Sequence, residues 1–471
     1  MMYTDTRDRS VSVNFRTAVL NGMNAQTGGL YIPVEFPRLD SSFLERIPEP
    51  SFREIAYEMA KPYVKDEIPD SDLESIIQDC YPFTPKVVPI DPVTYVLELF
   101  HGPTCAFKDF GARFMARVMS YFNRSQDRAL HILVATSGDT GSAVGSAFLN
   151  VPGIDVTILY PDGKISPLQE KQLSTFTGNV RALKVKGTFD DCQKLVKTAF
   201  TDQSLREQFR LSSANSINIS RLLPQAFYYM FASLVVRNRI PLDSKIDGAS
   251  VITVVPSGNF GNLTSGLIAR EMGAPITGFI AATNRNHTVP DWIATGEYAA
   301  RPSVATLSNA MDVGAPSNYE RISAMYSLDE VRRILAAYWT DDEGTVDGIR
   351  QCKSKTGYVI DPHGAVAWKA WNELRTSGIK ADAASQAGGV MQPGFAASVP
   401  EWAQSIAEKK AAAILLETAH PAKFGATVSN ATGQEPSMPE RLEKVMSLPD
   451  NAVPMGKDYK SFKEWLLSNL R

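Results

Sequence analysis

Residues 132–160 read ILVATSGDTGSAVGSAFLNVPGIDVTILY, and this stretch decides the fold class. It starts with a short apolar run, passes through a turn rich in glycine and hydroxyl side chains, and ends on a second apolar run. The two runs predict strands at 132–135 and 154–160, and the segment between them predicts a helix that ends at about 149. A strand, a helix and a second strand in succession indicate a βαβ unit with parallel strands.

The same alternation continues on both sides of this stretch. Further strands are expected at 93–100, 180–187, the start of 251–262, 276–284 and 411–418. Helices are expected at 106–122, 166–176, 189–200, 216–238, 329–339, 365–375 and 400–409, and one more follows the loop in 251–262 and ends at about 272. Two parallel α/β blocks in one chain predict two domains with a ligand cleft between them.

We expect three parts along the chain. Residues 1–95 form an N-terminal extension that reads as irregular, with a proline-rich extended linker at 81–92. Residues 96–240 form one α/β domain, and residues 241–471 form a larger one. The pattern in 285–345 is mixed and poorly defined apart from the helix expected at 329–339.

Composition narrows the possible partners. The chain has 471 residues and a formal net charge of −3, with 44% hydrophobic and 21% charged residues. These values are typical of a globular protein and give no basic field for nucleic acid or lipid. We therefore expect neither nucleic acid nor a membrane as a partner.

Cysteine usage and the first residues suggest a compartment. The chain has five histidines and four cysteines without a CxxC pair, so we expect reduced thiols and no metal site. The opening MMYTDTRDRSVSVNF has no apolar signal-peptide core, and no apolar run reaches the roughly 20 residues that span a bilayer. These features predict a cytoplasmic protein.

A lysine at the start of a predicted helix is the first candidate for chemistry. Lys108 follows a Gly-Pro turn in HGPTCAFKDF, residues 101–110. The positive end of a helix and burial in a cleft both disfavour an ammonium, and Schiff-base chemistry needs the neutral amine. A solvated surface lysine explains the same position when it is considered alone.

Three further motifs each follow a predicted strand. TSGDTGS at 136–142 and SGNFGN at 257–262 offer successive backbone N–H groups at a helix start, where anions bind. ETAHPAKF at 417–424 places a hydroxyl at the carboxyl end of a strand, which is the ligand side of an α/β sheet. An ordinary βα turn, or an exposed loop in the third case, remains an open alternative for each.

Together these motifs resemble the threonine synthase family of pyridoxal-phosphate enzymes. The similar segments are HGPTCAFKDFGARF (101–114), ATSGDTGSA (135–143), SANSINISRLLPQ (213–225), VPSGNFGN (255–262) and ETAHPAKF (417–424). NFRTAVLNGMNAQTGGLYIP, residues 14–33, resembles the N-terminal segment of the longer bacterial and fungal branch. Cys105 departs from the family pattern, where an aliphatic residue is commoner.

The resemblance implies fold type II, with pyridoxal 5'-phosphate between two α/β domains. It implies a lyase that converts O-phospho-L-homoserine and water to L-threonine and phosphate, by γ-elimination and then β-hydration, as the last step of threonine biosynthesis. Lys108 is then the Schiff-base lysine and the base. The cofactor-binding residues it implies are Lys108, Gly258, Asn259, Phe260, Gly261, Asn262 and Thr418. The substrate-binding residues it implies are Ser137, Asp139, Thr140, Asn215, Ser216, Asn218, Arg221 and Lys423.

Some expectations stay open at this point. Lys423, His420 and Arg221 are the candidate cations for the leaving phosphate. The nearest alternative is a dehydratase or β-replacement enzyme of the same fold, which favours SGN where this chain has SGD at 137–139. A non-catalytic homologue that binds phosphate-bearing ligands is the alternative from another class. The protein is expected to be a monomer or a homodimer.

Overall fold

A computed structural model describes residues 1–46, 48–136, 138–239, 250–377, 393–396, 399–407 and 411–470. The strands are β1 (Met2–Asp5), β2 (Val13–Asn14), β3 (Tyr31–Pro33), β4 (Lys86–Asp91), β5 (Thr94–Glu98), β6 (Leu130–Ala135), β7 (Ile154–Pro161), β8 (Val180–Val185), β9 (Arg210–Ser212), β10 (Ser250–Pro256), β11 (Gly278–Thr283), β12 (Leu335–Trp339), β13 (Gly394–Phe395), β14 (Ala411–Glu417) and β15 (Val453–Met455).

The helices connect these strands. They are α1 (Phe15–Asn21), α2 (Ser41–Leu44), α3 (Phe52–Val64), α4 (Asp70–Cys80), α5 (Lys108–Asn123), α6 (Asp139–Phe148), α7 (Pro167–Ser174), α8 (Phe189–Thr201), α9 (Gln203–Gln208), α10 (Ile219–Leu222), α11 (Gln225–Arg239), α12 (Gly261–Glu271), α13 (Thr288–Thr295), α14 (Tyr319–Met325), α15 (Leu328–Ile334), α16 (Asp342–Thr356), α17 (Pro362–Ser377), α18 (Gln404–Ala407), α19 (Gly425–Thr432), α20 (Glu440–Met446) and α21 (Tyr459–Asn469). Short 3₁₀ turns occur at Asn309–Met311, Glu401–Ala403 and Pro421–Phe424.

The larger sheet has the strand order β13-β12-β11-β10-β14-β5-β4. Its central strands run parallel, and the two edge strands β4 and β13 run antiparallel to their neighbours. All seven residues of β14 are buried, as expected for a parallel strand covered on both faces. Because β10 and β14 pair in parallel, the residues that follow them leave the same edge of the sheet side by side.

The smaller sheet has the order β15-β8-β7-β6-β9, and every pairing in it is parallel. β6 lies between β7 and β9, so the chain order reverses at its carboxyl end. Ligands of open α/β sheets bind at such switch points. The TSGDTGS motif begins at this position.

The division of the chain into 1–95, 96–240 and 241–471 remains a prediction. Two strand pairings connect the second part with the third. β5 pairs with β14, so the strand that precedes Lys108 lies in the larger sheet. β15, near the end of the chain, pairs with β8 in the smaller sheet.

The N-terminal region is more regular than the sequence predicted. Helix α3 begins with a reciprocal capping box between Ser51 and Glu54 and buries seven residues, and α4 follows it. The expectation of an extended linker at 81–92 was wrong for its second half, because β4 pairs with β5 there. Pro89 is tolerated since β4 is an edge strand.

Two helix predictions also need correction. The helix expected at 329–339 ends at Ile334, and LAAYW continues as the buried strand β12. A short apolar run of this kind does not distinguish a buried strand from a buried helix. The helix expected at 216–238 is divided into α10 and α11 around Leu223 and Pro224, because proline has no N–H to donate. The run Ile219–Arg239 is long and apolar enough for a membrane span, but 94% of its most apolar 18-residue stretch is buried within the protein.

Candidate active site

Lys108 begins helix α5, and backbone contacts fix its position beside the end of β14. Phe107 N–H donates to Thr418 O at 2.8 Å, and His420 N–H donates to Cys105 O at 3.0 Å. Cys105 has a φ of +56°, a left-handed conformation that non-glycine residues rarely adopt. The strained turn therefore brings the lysine segment against the ETAHPAKF segment.

The environment of Lys108 favours a neutral amine. The side chain is half-buried, and the described residues supply no hydrogen bond or ion pair to its Nζ. Burial lowers its pKa to about 8; Asp139 opposes that change, while the cations Arg221 and Lys423 add to it. A much larger fraction of this lysine than of an ordinary one is therefore an uncharged nucleophile near neutral pH.

Asp139 and Lys423 form a buried ion pair in the same site. Asp139 Oδ1 lies 2.6 Å from Lys423 Nζ, and the two side chains are 4% and 0% exposed. Lys423 Nζ also donates to Thr104 O at 3.2 Å, and Gln169 Nε2 donates to Asp139 Oδ1 at 3.2 Å. Burial acts to raise the pKa of Asp139, but the ammonium groups of Lys423 and Lys108 outweigh it and hold that pKa well below its usual range.

The SGNFGN loop connects β10 to α12 and has the form of an anion cradle. Phe260 adopts a φ of +58°, and a Cβ on Gly258 would lie 2.6 Å from Met311 Cα, so the turn is tight. Within the described chain, no acceptor bonds the backbone N–H groups of residues 258–262. Successive free N–H groups at a helix start bind phosphate well.

Asn262 adds an unpaired donor to this loop. Its Oδ1 accepts from Tyr228 Oη at 2.6 Å and from Tyr229 Oη at 2.9 Å, which fixes the orientation of the amide. Its Nδ2 is buried and has no hydrogen-bond partner. A buried unsatisfied donor is costly and is typical of a position that a ligand completes.

Asn259 joins the loop to its neighbours. Its Nδ2 donates to Ser216 Oγ at 2.6 Å, and its Oδ1 accepts from Ser317 N–H at 2.6 Å. The side chain therefore holds the loop in place, while the backbone amides beside it stay free.

Thr418 lies directly after β14 with 6% exposure. Its carbonyl accepts from Phe107, and the described residues supply no partner for its hydroxyl. The residues present therefore fit pyridoxal phosphate, since they offer an uncharged amine, free amides for a phosphate, an orphaned Nδ2 and a free hydroxyl.

The remaining predicted residues differ in how available their side chains are. Thr140 is half-buried in the first turn of α6, and Ser137 lies outside the described residues. Asn215 is half-buried beside Ser216. Arg221 is buried; its Nη1 donates to Ala214 O at 2.6 Å, and its Nε has no partner.

Two of the predicted polar residues already have structural roles. Asn218 caps α10 through Oδ1 and donates from Nδ2 to Val19 O at 2.8 Å. His420 accepts from Ala422 N–H at 3.2 Å, and burial lowers its pKa to about 4. With this pKa the His420 ring is uncharged near neutral pH, and its role as a cation for the leaving phosphate stays a prediction.

Sequence reasoning missed a buried polar chain behind the site. Glu417, Asp361 and His363 are each at most 2% exposed. Asp361 N–H donates to Glu417 Oε1 at 2.7 Å, and Asp361 Oδ2 lies 2.6 Å from His363 Nδ1. His363 Nε2 accepts from Ala310 N–H at 3.2 Å, so the ring proton is assigned to Nδ1. No spacing rule could find this group, because it forms only when two distant segments fold together.

The fold and the site define a class. The segment of a half-buried lysine with a lowered pKa contacts the end of β14, and an anion cradle follows the neighbouring parallel strand β10. This is the arrangement of a pyridoxal-phosphate enzyme of fold type II. Residues 84–384 match the family model described as pyridoxal-phosphate dependent enzyme. The cofactor and fold class expected from the sequence are confirmed.

The flanking regions identify the family. Residues 2–81 match the model for the threonine synthase N terminus, and residues 396–465 match the model for the threonine synthase C-terminal region. The chain belongs to the threonine synthase family and is a pyridoxal-phosphate-dependent lyase of threonine biosynthesis.

Relatives align along the whole chain. The threonine synthase of Haemophilus influenzae is 38% identical over 97% of both chains. The crystal structure of threonine synthase from Escherichia coli is 36% identical, covers 99% of this chain and 100% of that chain, and has a TM-score of 0.82. The pyridoxal-phosphate-bound threonine synthase from Brucella melitensis is 32% identical, covers 100% of both chains and has a TM-score of 0.84.

Proposed function

We propose that this protein converts O-phospho-L-homoserine and water to L-threonine and phosphate, with Lys108 as the residue that binds the cofactor and moves protons. The observation that supports this most directly is the Lys108 amine, with its pKa near 8, between the Asp139–Lys423 pair and the Thr418 strand end. A phosphorylated substrate needs this amine beside a cationic group, and Lys423 is such a group.

The cofactor phosphate is assigned to the loop at 257–262. The free N–H groups of Gly258, Asn259, Phe260 and Gly261, with Asn262 Nδ2, provide donors for several phosphate oxygens. Charge-assisted hydrogen bonds of this kind each contribute about 1.5–3 kcal/mol. When bound, the cofactor supplies an aldehyde for the lysine and a conjugated ring that withdraws electrons from the bonds of the substrate.

The other residues are assigned by their chemistry. Thr418 donates or accepts at the ring nitrogen through its free hydroxyl, without the full charge that a carboxylate would impose. With cofactor and substrate bound, the uncharged Lys108 amine would remove and return protons at two neighbouring substrate carbons, because its side chain would be tethered beside both.

The substrate side is assigned to the first loop and the two cations. Thr140, Asn215 and Ser216 are assigned to the carboxylate end of the substrate, and Ser137, outside the described residues, is assigned there from the family resemblance alone. Lys423 and Arg221 are the cations for the substrate phosphate, and Lys423 has to share its ammonium between Asp139 and that phosphate. Asn218 supports the segment that carries Asn215 and Ser216 by capping α10.

We further propose that the protein acts in the cytoplasm as a monomer or homodimer. Its partners are then small molecules alone. A dehydratase would release an oxoacid from the same site, and a non-catalytic homologue would not use Lys108 at all.

The test is an assay of phosphate release from O-phosphohomoserine with threonine measured in parallel. Lys108→Ala should lose turnover and the visible absorbance of lysine-bound cofactor, whereas Lys197→Ala, at an exposed lysine of α8, should keep both. Turnover retained by Lys108→Ala would contradict the assignment. An oxoacid in place of threonine would support the dehydratase alternative.

A further inference from the structure

Arg321 joins three separate segments from a fully buried position on α14. Its Nε and Nη2 donate to Tyr31 O at 3.1 and 3.0 Å, and Nη2 also donates to Ile217 O at 2.5 Å. Its Nη1 donates to Asn318 Oδ1 at 2.7 Å. One guanidinium therefore ties the N-terminal strand β3 to the SANSINIS segment and to the start of its own helix.

Asn318 continues this path to the cofactor-phosphate loop. Because Arg321 donates to Oδ1, the amide is oriented with Nδ2 toward the loop, and Nδ2 donates to Asn259 O at 3.1 Å. A Cβ on Gly261 would lie only 3.2 Å from the same Nδ2, so Asn318 is packed closely against the loop.

This contact sets the direction of a phosphate-binding amide. In a trans peptide the carbonyl and the N–H point to opposite sides. With Asn259 O held by Asn318, the N–H of Phe260 points away from α14, and no acceptor in the described chain bonds it. The left-handed φ of Phe260 belongs to the same locked turn.

The charge of Arg321 is not balanced locally. No carboxylate of the described residues lies within ion-pair distance of its guanidinium, and the carboxylate of neighbouring Glu320 pairs with Arg7 instead. Burial lowers the pKa of Arg321 to about 9, which is the mark of a desolvated cation. Burying a cation without an anion is costly, and a bound anion nearby offsets that cost.

We infer that Arg321 is a positioning residue that couples β3 and the SANSINIS segment to the cofactor-phosphate loop, so that cofactor binding and docking of the N-terminal segment stabilise each other. The inference rests on the proposed assignment of the cofactor phosphate to residues 258–262. It gives the N-terminal region a role in forming the site, although that region supplies none of the proposed cofactor ligands. Coupling of this kind is reciprocal by thermodynamic necessity.

The first test measures affinity for pyridoxal phosphate. Arg321→Gln in the full-length protein should weaken binding by at least about tenfold, measured by absorbance titration of the apoenzyme. Arg321→Lys should give an intermediate loss of affinity, since lysine keeps the positive charge but not the several N–H donors of the guanidinium. Arg332→Gln is the matched control, because Arg332 also donates to two backbone carbonyls, Ile293 O and Ala294 O, and contacts no part of the loop.

The second test separates coupling from a general structural effect. In the wild type, pyridoxal phosphate should slow hydrogen exchange of the backbone amides in β1 and β3, two strands that pair with each other. In Arg321→Gln the cofactor should no longer protect these amides, even at concentrations that saturate the variant. Lack of protection in the wild type would overturn the inference without any variant.

The remaining outcomes are also decisive. Should Arg321→Gln fail to fold, Asn318→Ser tests the same path, because it leaves the bonds to Tyr31 and Ile217 intact; wild-type affinity in that variant would overturn the inference. If the wild type makes threonine and Arg321→Gln binds the cofactor with wild-type affinity, the inference is wrong but the proposed function stands. Wild-type protein that takes up no cofactor would overturn the proposed function as well.

Discussion

Asp139 Oδ1 and Lys423 Nζ lie 2.6 Å apart and form a buried ion pair between the first turn after β6 and the segment after β14. The pair joins the switch point of the smaller sheet to the carboxyl edge of the larger one. Lys108 lies close enough to both groups for each to alter its pKa, and with opposite sign. The pair therefore links the two sheets, and its two charges adjust in opposite directions the pKa of an amine that burial chiefly lowers.

The first prediction concerns the titration of Lys108. In the apoenzyme, labelling of Lys108 by an amine-selective reagent should follow the neutral fraction and rise with a midpoint near pH 8. Asp139→Asn should move the midpoint down, because a carboxylate that favours the ammonium is lost. Lys423→Met should move it up, because a repelling cation is lost. Mass spectrometry of the labelled peptide measures both, with Lys197 as an internal control. Shifts in the same direction would contradict the electrostatic account.

The second prediction concerns stability. Asp139→Asn leaves the Lys423 ammonium buried without its anion, and breaking such a pair costs about 3–5 kcal/mol of unfolding free energy. Denaturant unfolding of the apoenzyme measures this loss. Combining Asp139→Asn with Lys423→Met should restore part of it, because no buried charge then stays unpaired. Glu440→Gln breaks the exposed pair with Lys444 and should leave the unfolding curve unchanged. An equal loss in that control would show that burial is not the cause.

The third prediction concerns the orphaned amide of Asn262. Asn262→Asp keeps an oxygen acceptor for Tyr228 and Tyr229 but replaces the free Nδ2 donor with a negatively charged oxygen. Affinity for pyridoxal phosphate should fall by about ten- to a hundredfold, since a charge-assisted hydrogen bond becomes a repulsion. Tyr229→Phe removes one donor to Oδ1 and should have a much smaller effect. Unchanged affinity in Asn262→Asp would place the phosphate elsewhere.

Much of this architecture was predictable from the sequence, because local patterns decide it. The parallel strands appear as apolar runs and the loops as Gly-rich turns, so β7 and β14 were predicted to within one residue at each end. β6 was predicted two residues too short, and β10 was predicted from its start alone. Ser51 with Glu54 three positions later is the spacing of a capping box, so the start of α3 also has a local sequence signal. β12 was not predictable from its pattern, since LAAYW fits a buried helix equally well.

The missed parts of the site depend on contacts between distant segments. Asp139 and Lys423 were each predicted as site residues, but their pairing needs both sheets in place. Arg321 lies in a region without a clear sequence pattern, and its partners are backbone carbonyls that no motif records. Such contacts are decided by tertiary packing and have no local signature.

The fourth prediction concerns Glu417, directly before Thr418. Burial and the neighbouring Asp361 raise the pKa of Glu417 well above its usual range, so the folded protein keeps this proton where the unfolded chain releases it. A group of this kind stabilises the fold below the unfolded pKa of about 4.3, and that stability is lost as the pH rises toward the folded pKa, at up to about 1.4 kcal/mol per pH unit.

Glu417→Gln removes this dependence while keeping an acceptor for Asp361 N–H and adding an amide donor at the position of the unpaired Oε2. The difference in unfolding free energy between the variant and the wild type should be constant below about pH 4 and should then grow in favour of the variant up to pH 8, measured by denaturant unfolding of the apoenzyme across that range. Glu440→Gln, at an exposed carboxylate, should keep the wild-type profile. Parallel profiles for Glu417→Gln and wild type would mean that Glu417 is ionised in the folded protein, and the buried chain behind Thr418 would then hold a net negative charge rather than a shared proton.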